Sequence, residues 1–421
     1  MRLRLLFAIV LGLAVVVGAQ QLTGCAEAKP LATSEAPQPV VVLISIDGFR
    51  YDYLDRDDAD TPTLDRLARE GVRADLVPVY PTKTFPNHYS LVTGLHPEAH
   101  GIVNNTMRDP ERLIDGKPAR FSLANREAVR DGAWWGGEPI WATAQRQGQA
   151  TAVLFWPGSE APIGGVLPTH GLPYNGDMPY ADRVDWVLEH LGGEDRPTFA
   201  TLYFEGVDTA GHRHGPDAPE TADAIEAVDV ALGRLVDGLA EQGRLATTDL
   251  VVVSDHGMAA VAPERRVYID DAIDIEAVDE VMWGETAGVW PGAADADSLV
   301  ARIDALPHVR AFRREDTPPR LRYRDHPRIP PVVVIPDVGW TVTSRAFAAR
   351  APDRPSGGAH GYDNRPRSMH GAFVASGPRV RVGEALGPFS VVDVYGILAE
   401  ALGIEAAPND GDPYVAERVL R

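Results

Sequence analysis

An α/β sandwich built on a mostly parallel sheet, with helices on both faces and one smaller inserted subdomain, is the architecture this 421-residue sequence predicts. Three observations point to it. Short, β-branched, almost wholly apolar runs recur along the chain, the pattern of strands buried on both faces. Stretches with helical spacing of apolar residues alternate with them, as βαβ architecture requires. Acidic and imidazole side chains follow directly on the apolar runs, at the edge where open α/β sheets bind ligands.

The chain opens with Met1-Arg-Leu-Arg and an uncharged apolar run over 5–19, which predicts a secretion leader over 1–24. The run ends in Leu22-Thr23-Gly24-Cys25, which resembles a bacterial lipobox whose cysteine is acylated and becomes the first mature residue. Cys25 is the only cysteine, so no internal disulfide can form, and lipidation explains both its position and its solitude. A cleaved soluble protein or an uncleaved anchor are the alternatives, although the run is short for a span of about 20 residues. Ala26 rather than Asp after the cysteine points to transport to the outer membrane, facing the periplasm. Residues 25–39, rich in Pro, Ala and polar side chains, read as a flexible tether.

Residues 40–421 form the globular part, with strands expected over 40–46, 151–155, 198–204 and 249–254. Helices are expected over 61–70, 86–94, 139–147, 180–191 and 220–243. The charged, Pro-rich stretch 261–343 interrupts this alternation with a helix near 294–306 and a strand near 332–335, and reads as a subdomain inserted over the functional edge. A formal charge of -20, from 40 basic and 60 acidic residues, disfavours nucleic-acid polymers as partners. A monomer acting on a small phosphate-bearing molecule is expected.

Seven residues scattered through this frame combine into one constellation: Asp47, Thr84, Asp208, His212, Asp255, His256 and His360. Asp47 ends an apolar run and precedes Gly48, as a capping Asp also does. Asp208 and His212, at i and i+4, share one face of a helical turn and can hold one metal, whereas His214 lies off that face. Asp255-His256 leaves a buried run, and metal coordination supplies the reason to desolvate both. His360 stands in a Gly-rich loop and draws its weight from the others. Carboxylates and imidazoles in this number form the ligand set of two divalent metals, expected about 4 Å apart. Thr84, in Pro-Thr-Lys-Thr-Phe-Pro-Asn, stands at the start of a helix, where a threonine is commonly a simple cap. Beside a divalent cation and a helix N-terminus, its hydroxyl loses its proton more readily and the helix amides face an incoming phosphate. Attack in line on phosphorus, then hydrolysis of the ester, would give net retention.

These residues resemble the nucleotide pyrophosphatase/phosphodiesterase family of the alkaline phosphatase superfamily, over nearly everything from residue 40 onward. The run 81–107, from Pro81-Thr-Lys-Thr-Phe through Val103-Asn-Asn-Thr-Met107, matches without a gap. The resemblance implies an alkaline-phosphatase-like sandwich and two zinc ions, one held by Asp47, Thr84, Asp255 and His256, the other by Asp208, His212 and His360. It implies that Asn105 and the Thr84 amide face the phosphate oxygen, that Phe85 and Tyr174 stack a nucleobase, and that Tyr203 approaches the phosphate. Trp156 and Glu160 fall at the far side of the base pocket, and hydrolysis to nucleoside 5′-monophosphates through a threonyl-nucleotidyl intermediate is expected. Read without the resemblance, Trp156 and Tyr203 are plain core. The chain departs from animal members in carrying no Cys-rich modules ahead of this domain and no nuclease-like domain after it. Gly136 falls where many nucleotide-preferring relatives carry Lys.

Rival activities fit less well. A phosphomonoesterase needs basic side chains against a dianion, whereas Phe85 and Asn105 suit a diester. The Cys or Ser before x-Pro-x-Arg of a sulfatase is absent. A glycerophosphodiester or choline-phosphate diesterase stays open, while a binder without turnover has no use for Thr84. Asp and His ligands also admit manganese or iron.

Overall fold

The computed structural model describes residues 39–193, 196–350 and 357–421. The leader, Cys25 and nearly all of the tether lie outside them, and none of the described helices is long and apolar enough to cross a membrane.

The strands of the central sheet are, in chain order, β1 (Val40–Ile46), β2 (Val72–Val77), β3 (Thr151–Leu154), β4 (His170–Leu172), β5 (Phe199–Phe204), β6 (Thr248–Val253) and β7 (Gly371–Ser376), followed by two short strands at Glu384–Ala385 and Phe389–Ser390. Their spatial order from the Glu384–Ala385 edge is β2, β7, β6, β1, β5, β3, β4. All neighbours pair parallel except β7, which runs antiparallel to both β2 and β6. Both β2 and β7 escaped the sequence pattern. Val72-Arg-Ala-Asp-Leu-Val77 carries two charges, and Gly371-Ala-Phe-Val-Ala-Ser376 is too rich in small residues to read as a buried strand.

Alternation along β1 shows how the sheet divides two cores. Val41 and Leu43 enter one apolar cluster, whereas Val42, Ile44 and Ile46 enter another on the opposite face. Helices α1 (Pro62–Glu70), α4 (Tyr180–Gly192) and α6 (Pro219–Glu241) cover the second, with Leu64, Val184, Val228 and Leu232 buried in it. Helices α2 (Thr84–Thr93), α3 (Ile140–Arg146) and α7 (Val394–Leu402) cover the first. A further helix, α5 (Gly206–His214), follows β5 directly.

Two local departures from the expected boundaries bear on the site. Helix α2 begins two residues before the anticipated start, because Pro86 has no N–H and its place in the first turn leaves nothing unsatisfied. Thr84 is therefore the first helical residue. Strand β3 stops at Leu154, since Phe155 takes φ +59°, a left-handed conformation uncommon outside glycine, and turns the chain toward the strand-end edge.

The stretch 261–343 builds a separate four-stranded antiparallel sheet, in the order Glu280–Met282, Ala287–Trp290, Val332–Pro336, Val309–Arg313. Helix Ala296–Asp304 packs on it over its own apolar cluster, which includes Leu299, Ile303, Val332 and Val334. Glu285 of this stretch pairs with Lys83, the residue before Thr84, at 3.3 Å.

Helix α1 has no side-chain cap of its own; Asp229, buried on α6, accepts from the Thr63 and Leu64 amides at 3.0 and 2.7 Å. Replacing Asp229 with Ala strands two amides at a buried helix start, so unfolding in urea should show a loss of about 2 kcal/mol with metal content unaltered.

Candidate active site

Each chemistry-bearing residue leaves a strand or helix end on one edge of the sheet. Asp47 follows β1, Asp255 and His256 follow β6 by one residue, Asp208 and His212 sit on α5 just beyond β5, and Thr84 opens α2. His360 follows the short strand Gly357–Ala359, which pairs with Ala259–Val261. Gly48 permits the close approach: its φ is +67°, and a Cβ there would lie 2.9 Å from the Asp208 Cα.

The ligand atoms fall into two groups, Asp47 with Asp255 and His256, and Asp208 with His212 and His360, each with all its atoms within 4.8 Å of one another. His256 Nε2 lies 3.0 Å from Asp255 Oδ2 and 3.4 Å from Asp47 Oδ1. His212 Nε2 and His360 Nε2 lie 3.4 and 3.5 Å from Asp208 Oδ1. The His256 and His360 rings stack at 3.5 Å between centroids and so join the two groups.

The residues fit divalent cations on two counts. Asp47 Oδ1, Asp208 Oδ1 and Asp255 Oδ2 are buried oxygens without a hydrogen-bond partner among the described residues. Each imidazole donates Nδ1–H to a backbone carbonyl, His212 to Gly358 (2.8 Å), His256 to Gly257 (2.9 Å) and His360 to Thr82 (2.7 Å). A carbonyl only accepts, so the tautomer is fixed and every Nε2 presents its lone pair inward, as metal-ligating histidines do. The Nε2 atoms of His212 and His360 even face each other at 3.0 Å, an arrangement a shared cation relieves.

Electrostatics repeats the point. Burial, then the charges of Asp255 and Asp208, push the Asp47 carboxyl well above the ordinary carboxylate range, and burial also raises Asp208. Burial, with His256 and Lys83, drives His360 well below the ordinary imidazole value, keeping it neutral and able to ligate.

Thr84 Oγ1 stands 3.4 Å from His256 Nε2, against the first group. The side chain of Asn105 accepts the Phe85 amide through Oδ1 at 2.9 Å, which leaves its NH₂ as donor beside the unpaired amide of Thr84. A cavity of about 630 Å³ opens from here, lined by Asp47, Lys83, Thr84, Phe85, Asn105, Arg126, Phe155, Trp156, Glu160, Tyr174, Tyr203, Asp208, His212 and His360 among others. Phe85 leans on Phe121 and Trp135, part of one core cluster; Tyr174, half exposed, leans on Phe155 and Tyr203, part of the other. The two aromatic rings thus reach the cavity from opposite faces of the sheet.

One residue behaves differently from what the resemblance implies. The Tyr203 hydroxyl donates to Asp47 Oδ2 at 2.6 Å, so it orients a ligand carboxylate instead of offering itself to a phosphate. Glu160 lines the cavity, but its carboxylate is taken up by Arg126, Arg130 and the Tyr174 amide. Trp156 is buried and donates Nε1–H to the His88 carbonyl at 2.9 Å. His214 is exposed, 3.7 Å from Glu220 and outside both groups.

Sequence reasoning missed three supporting residues. His88, fully buried one turn after Thr84, donates Nδ1–H to the Thr84 carbonyl (2.9 Å), lies 3.2 Å from Asp255 Oδ2 and receives the Ser45 hydroxyl at 2.7 Å. Arg183, with its side chain wholly buried, grips Glu205 at the start of α5 through both carboxylate oxygens and donates to the carbonyls of Gly176, Met178 and Tyr203. It thereby ties the exposed loop that carries Tyr174 to the segment that carries Asp208 and His212. Arg126 is the third. The spacing of His88 from Thr84 offered a signal, but nothing in sequence marks the two arginines.

Paired Asp/His triads at the strand ends of such a sheet mark the class as metal-dependent phosphohydrolases of the alkaline phosphatase superfamily. Residues 41–363 match the type I phosphodiesterase / nucleotide pyrophosphatase family, and the chain belongs to that family. It is 37% identical over 391 residues to an uncharacterized pyrophosphatase/phosphodiesterase of Schizosaccharomyces pombe, covering 89% of this chain and 79% of that one. It is 35% identical over 398 residues to ectonucleotide pyrophosphatase/phosphodiesterase family member 1 of Mus musculus, covering 91% of this chain and 43% of the relative. The chain thus spans under half the length of that animal relative. The structure superposes on human ectonucleotide pyrophosphatase/phosphodiesterase 5 with TM-score 0.84 at 33% identity, over 91% of this chain and 100% of the other. The murine counterpart, an inactive variant in complex with AMP, matches with TM-score 0.84 at 34% identity over the same shares.

Metal removal tests the cluster. An acid whose folded pKa is raised holds its proton more tightly in the native state, so the stability of the metal-free protein falls as pH rises above the ordinary carboxylate value. Asp47 and Asp208 are such acids. The difference in Tm between metal-loaded and chelated protein, followed by calorimetry, should therefore be larger at pH 8 than at pH 5.

Proposed function

We propose that this chain is a zinc-dependent phosphodiesterase that hydrolyses nucleotide phosphodiester and pyrophosphate bonds, releases nucleoside 5′-monophosphates and passes through a covalent ester on Thr84. The observation that carries the reading is the placement of Thr84 Oγ1 at the open N-terminus of α2, 3.4 Å from His256 Nε2 and within the ring of inward-facing ligand atoms. Two zinc ions, held by Asp47, Thr84, Asp255 and His256 and by Asp208, His212 and His360, would supply the positive charge that acidifies a hydroxyl and neutralises phosphoryl oxygens.

The protein groups do the rest. Thr84 Oγ1 attacks phosphorus in line, forming the O–P bond as the bond to the departing phosphate, pyrophosphate or alcohol breaks. The Asn105 NH₂ and the Thr84 amide receive the negative charge on the non-bridging oxygen. His88 fixes the Thr84 carbonyl and so the pitch of the first turn, and Tyr203 fixes Asp47. Phe85 and Tyr174 take the nucleobase between rings anchored in separate cores. Water then cleaves the threonyl ester. The AMP complex of the murine neighbour, an inactive variant, supports a nucleotide in a site of this type.

We also propose the setting: a leader over 1–24, a lipid on Cys25, a tether over 25–39 and a monomeric catalytic body at the outer membrane facing the periplasm. The lipobox-like run and the solitary cysteine support it.

Replacing Thr84 with Ala should abolish turnover of the nitrophenyl ester of thymidine monophosphate while zinc content, measured by mass spectrometry, stays near that of the native protein. Undiminished turnover rejects the mechanism. Phe85→Ala and Tyr174→Ala should each lose about tenfold more on that ester than on bis(nitrophenyl) phosphate, given stacking worth roughly 1–3 kcal/mol.

A further inference from the structure

We infer that the cleft between the hairpin of Met107–Ile114 and Lys117–Phe121 and the edge of the inserted sheet at Glu280–Met282 is a leaving-group subsite, which binds the departing half of a substrate through its phosphates and an aromatic base. The inference rests on the nucleotide reading and deepens it, since such a subsite favours substrates in which phosphates join two nucleosides. With the retained nucleoside between Phe85 and Tyr174, the departing half has to lie elsewhere. A second cavity, of about 320 Å³, shares Lys83 and Asn105 with the first, so it begins beside the nucleophile.

Lys83 marks the boundary. Its side chain passes over Gly361, the residue after His360: a Cβ there would lie 2.9 Å from Nζ, and φ +117° keeps the position to glycine. The ammonium thus stands next to the second ligand group, and it keeps donors beyond the one that Glu285 takes at 3.3 Å.

Past Lys83 the cleft is basic, in a chain whose formal charge is -20. Carboxylates account for all but one of its lining cations. Arg328 is spent on Asp109 (2.8 Å) and on three backbone carbonyls, and Lys83 has Glu285. Glu280 alone serves the other two. Arg120 holds it through both Nη atoms, at 2.8 and 2.9 Å, and Arg108 reaches it through Nη1 at 3.2 Å. Arg108 Nε has no hydrogen-bond partner among the described residues, and the guanidinium lies over the Trp290 ring at 4.4 Å. One positive charge is therefore uncompensated in the cleft, which suits the anionic chain of a departing phosphate.

The cleft also offers a ring. Trp290 is covered by Arg108, but Trp283, directly after the edge strand, lines the cleft and is 42% exposed. An exposed indole beside cations holds a base and its phosphates together, and every base has a π-face, so the subsite reads the presence of a second base and not its identity.

The test compares diadenosine triphosphate with the γ-methyl ester of ATP, which carries the same charge and no second nucleoside. Attack of Thr84 Oγ1 on the AMP phosphorus forms the threonyl ester and breaks the bond to the bridging oxygen, which leaves with its electron pair as ADP from the first and as methyl diphosphate from the second. The first cavity meets the same half in both. Each kcat/KM, with the zinc-loaded protein, is divided by that for the nitrophenyl ester of thymidine monophosphate on the same preparation. Diadenosine triphosphate should lead by about tenfold, toward the low end for one stacked base, and in Trp283→Ala the lead should vanish. In Arg108→Gln both ratios should fall by up to about fivefold, as for a partly exposed charge contact. Arg120→Gln, at an exposed side chain, should do the same and serves if Arg108→Gln does not fold. No lead in the native protein, a lead that survives in Trp283→Ala, or ratios unmoved in the arginine variants overturn the inference, and the pairs around Glu280 are then struts of the inserted subdomain only. Failure of the native protein to turn over all three compounds would overturn the nucleotide reading as well, whereas turnover of all three without a lead overturns this inference alone.

Discussion

Three carboxylates, Asp47, Asp208 and Asp255, are gathered at one edge of the sheet, each with an oxygen that makes no hydrogen bond among the described residues. Buried charge of one sign is among the costliest arrangements a protein can hold. Three imidazoles, each locked by a backbone carbonyl to present a lone pair, add acceptors to acceptors. Divalent cations would reverse the sign of this concentration, and such a demand would account for the close approach at Gly48 and the stacking of His256 on His360.

The fold supplies this arrangement economically. Strands β1, β5 and β6 run parallel and side by side, so the residues that follow them emerge together. Helix α5 begins at once after β5 and turns Asp208 and His212 onto one face, whereas the antiparallel strand β7 closes the far side of β6. Core clusters on both faces hold that edge, and the loop bearing His360 is tied to it by the Thr82 carbonyl.

The substrate side follows a different logic. There the walls are aromatic rings seated in the two cores, while the loop bearing Tyr174 is exposed and depends on polar ties: Glu160 at its start, Arg183 at its end. The carboxylate that anchors the loop also binds Arg126 and Arg130.

Much of this was legible in sequence. Four parallel strands and their crossover helices stood out because burial on both faces demands unbroken β-branched runs, and the six Asp and His candidates stood out together, Asp255-His256 most sharply because an acid and an imidazole leaving a buried strand need a reason to be desolvated there. Strands β2 and β7 did not, since charged or small residues there satisfy burial only through neighbours that periodicity cannot reveal. Composition and order thus determined the sheet, its ligand edge and the hydroxyl at the head of α2, all of which follow from local patterns. Tertiary structure alone decided that Tyr203 serves Asp47, that Arg183 holds a loop from five residues beyond its end, and that Glu160 is taken up by Arg126 and the Tyr174 amide. Those roles depend on which donors meet which acceptors across distant segments, and hydrogen-bond capacity is settled by position, not by residue type.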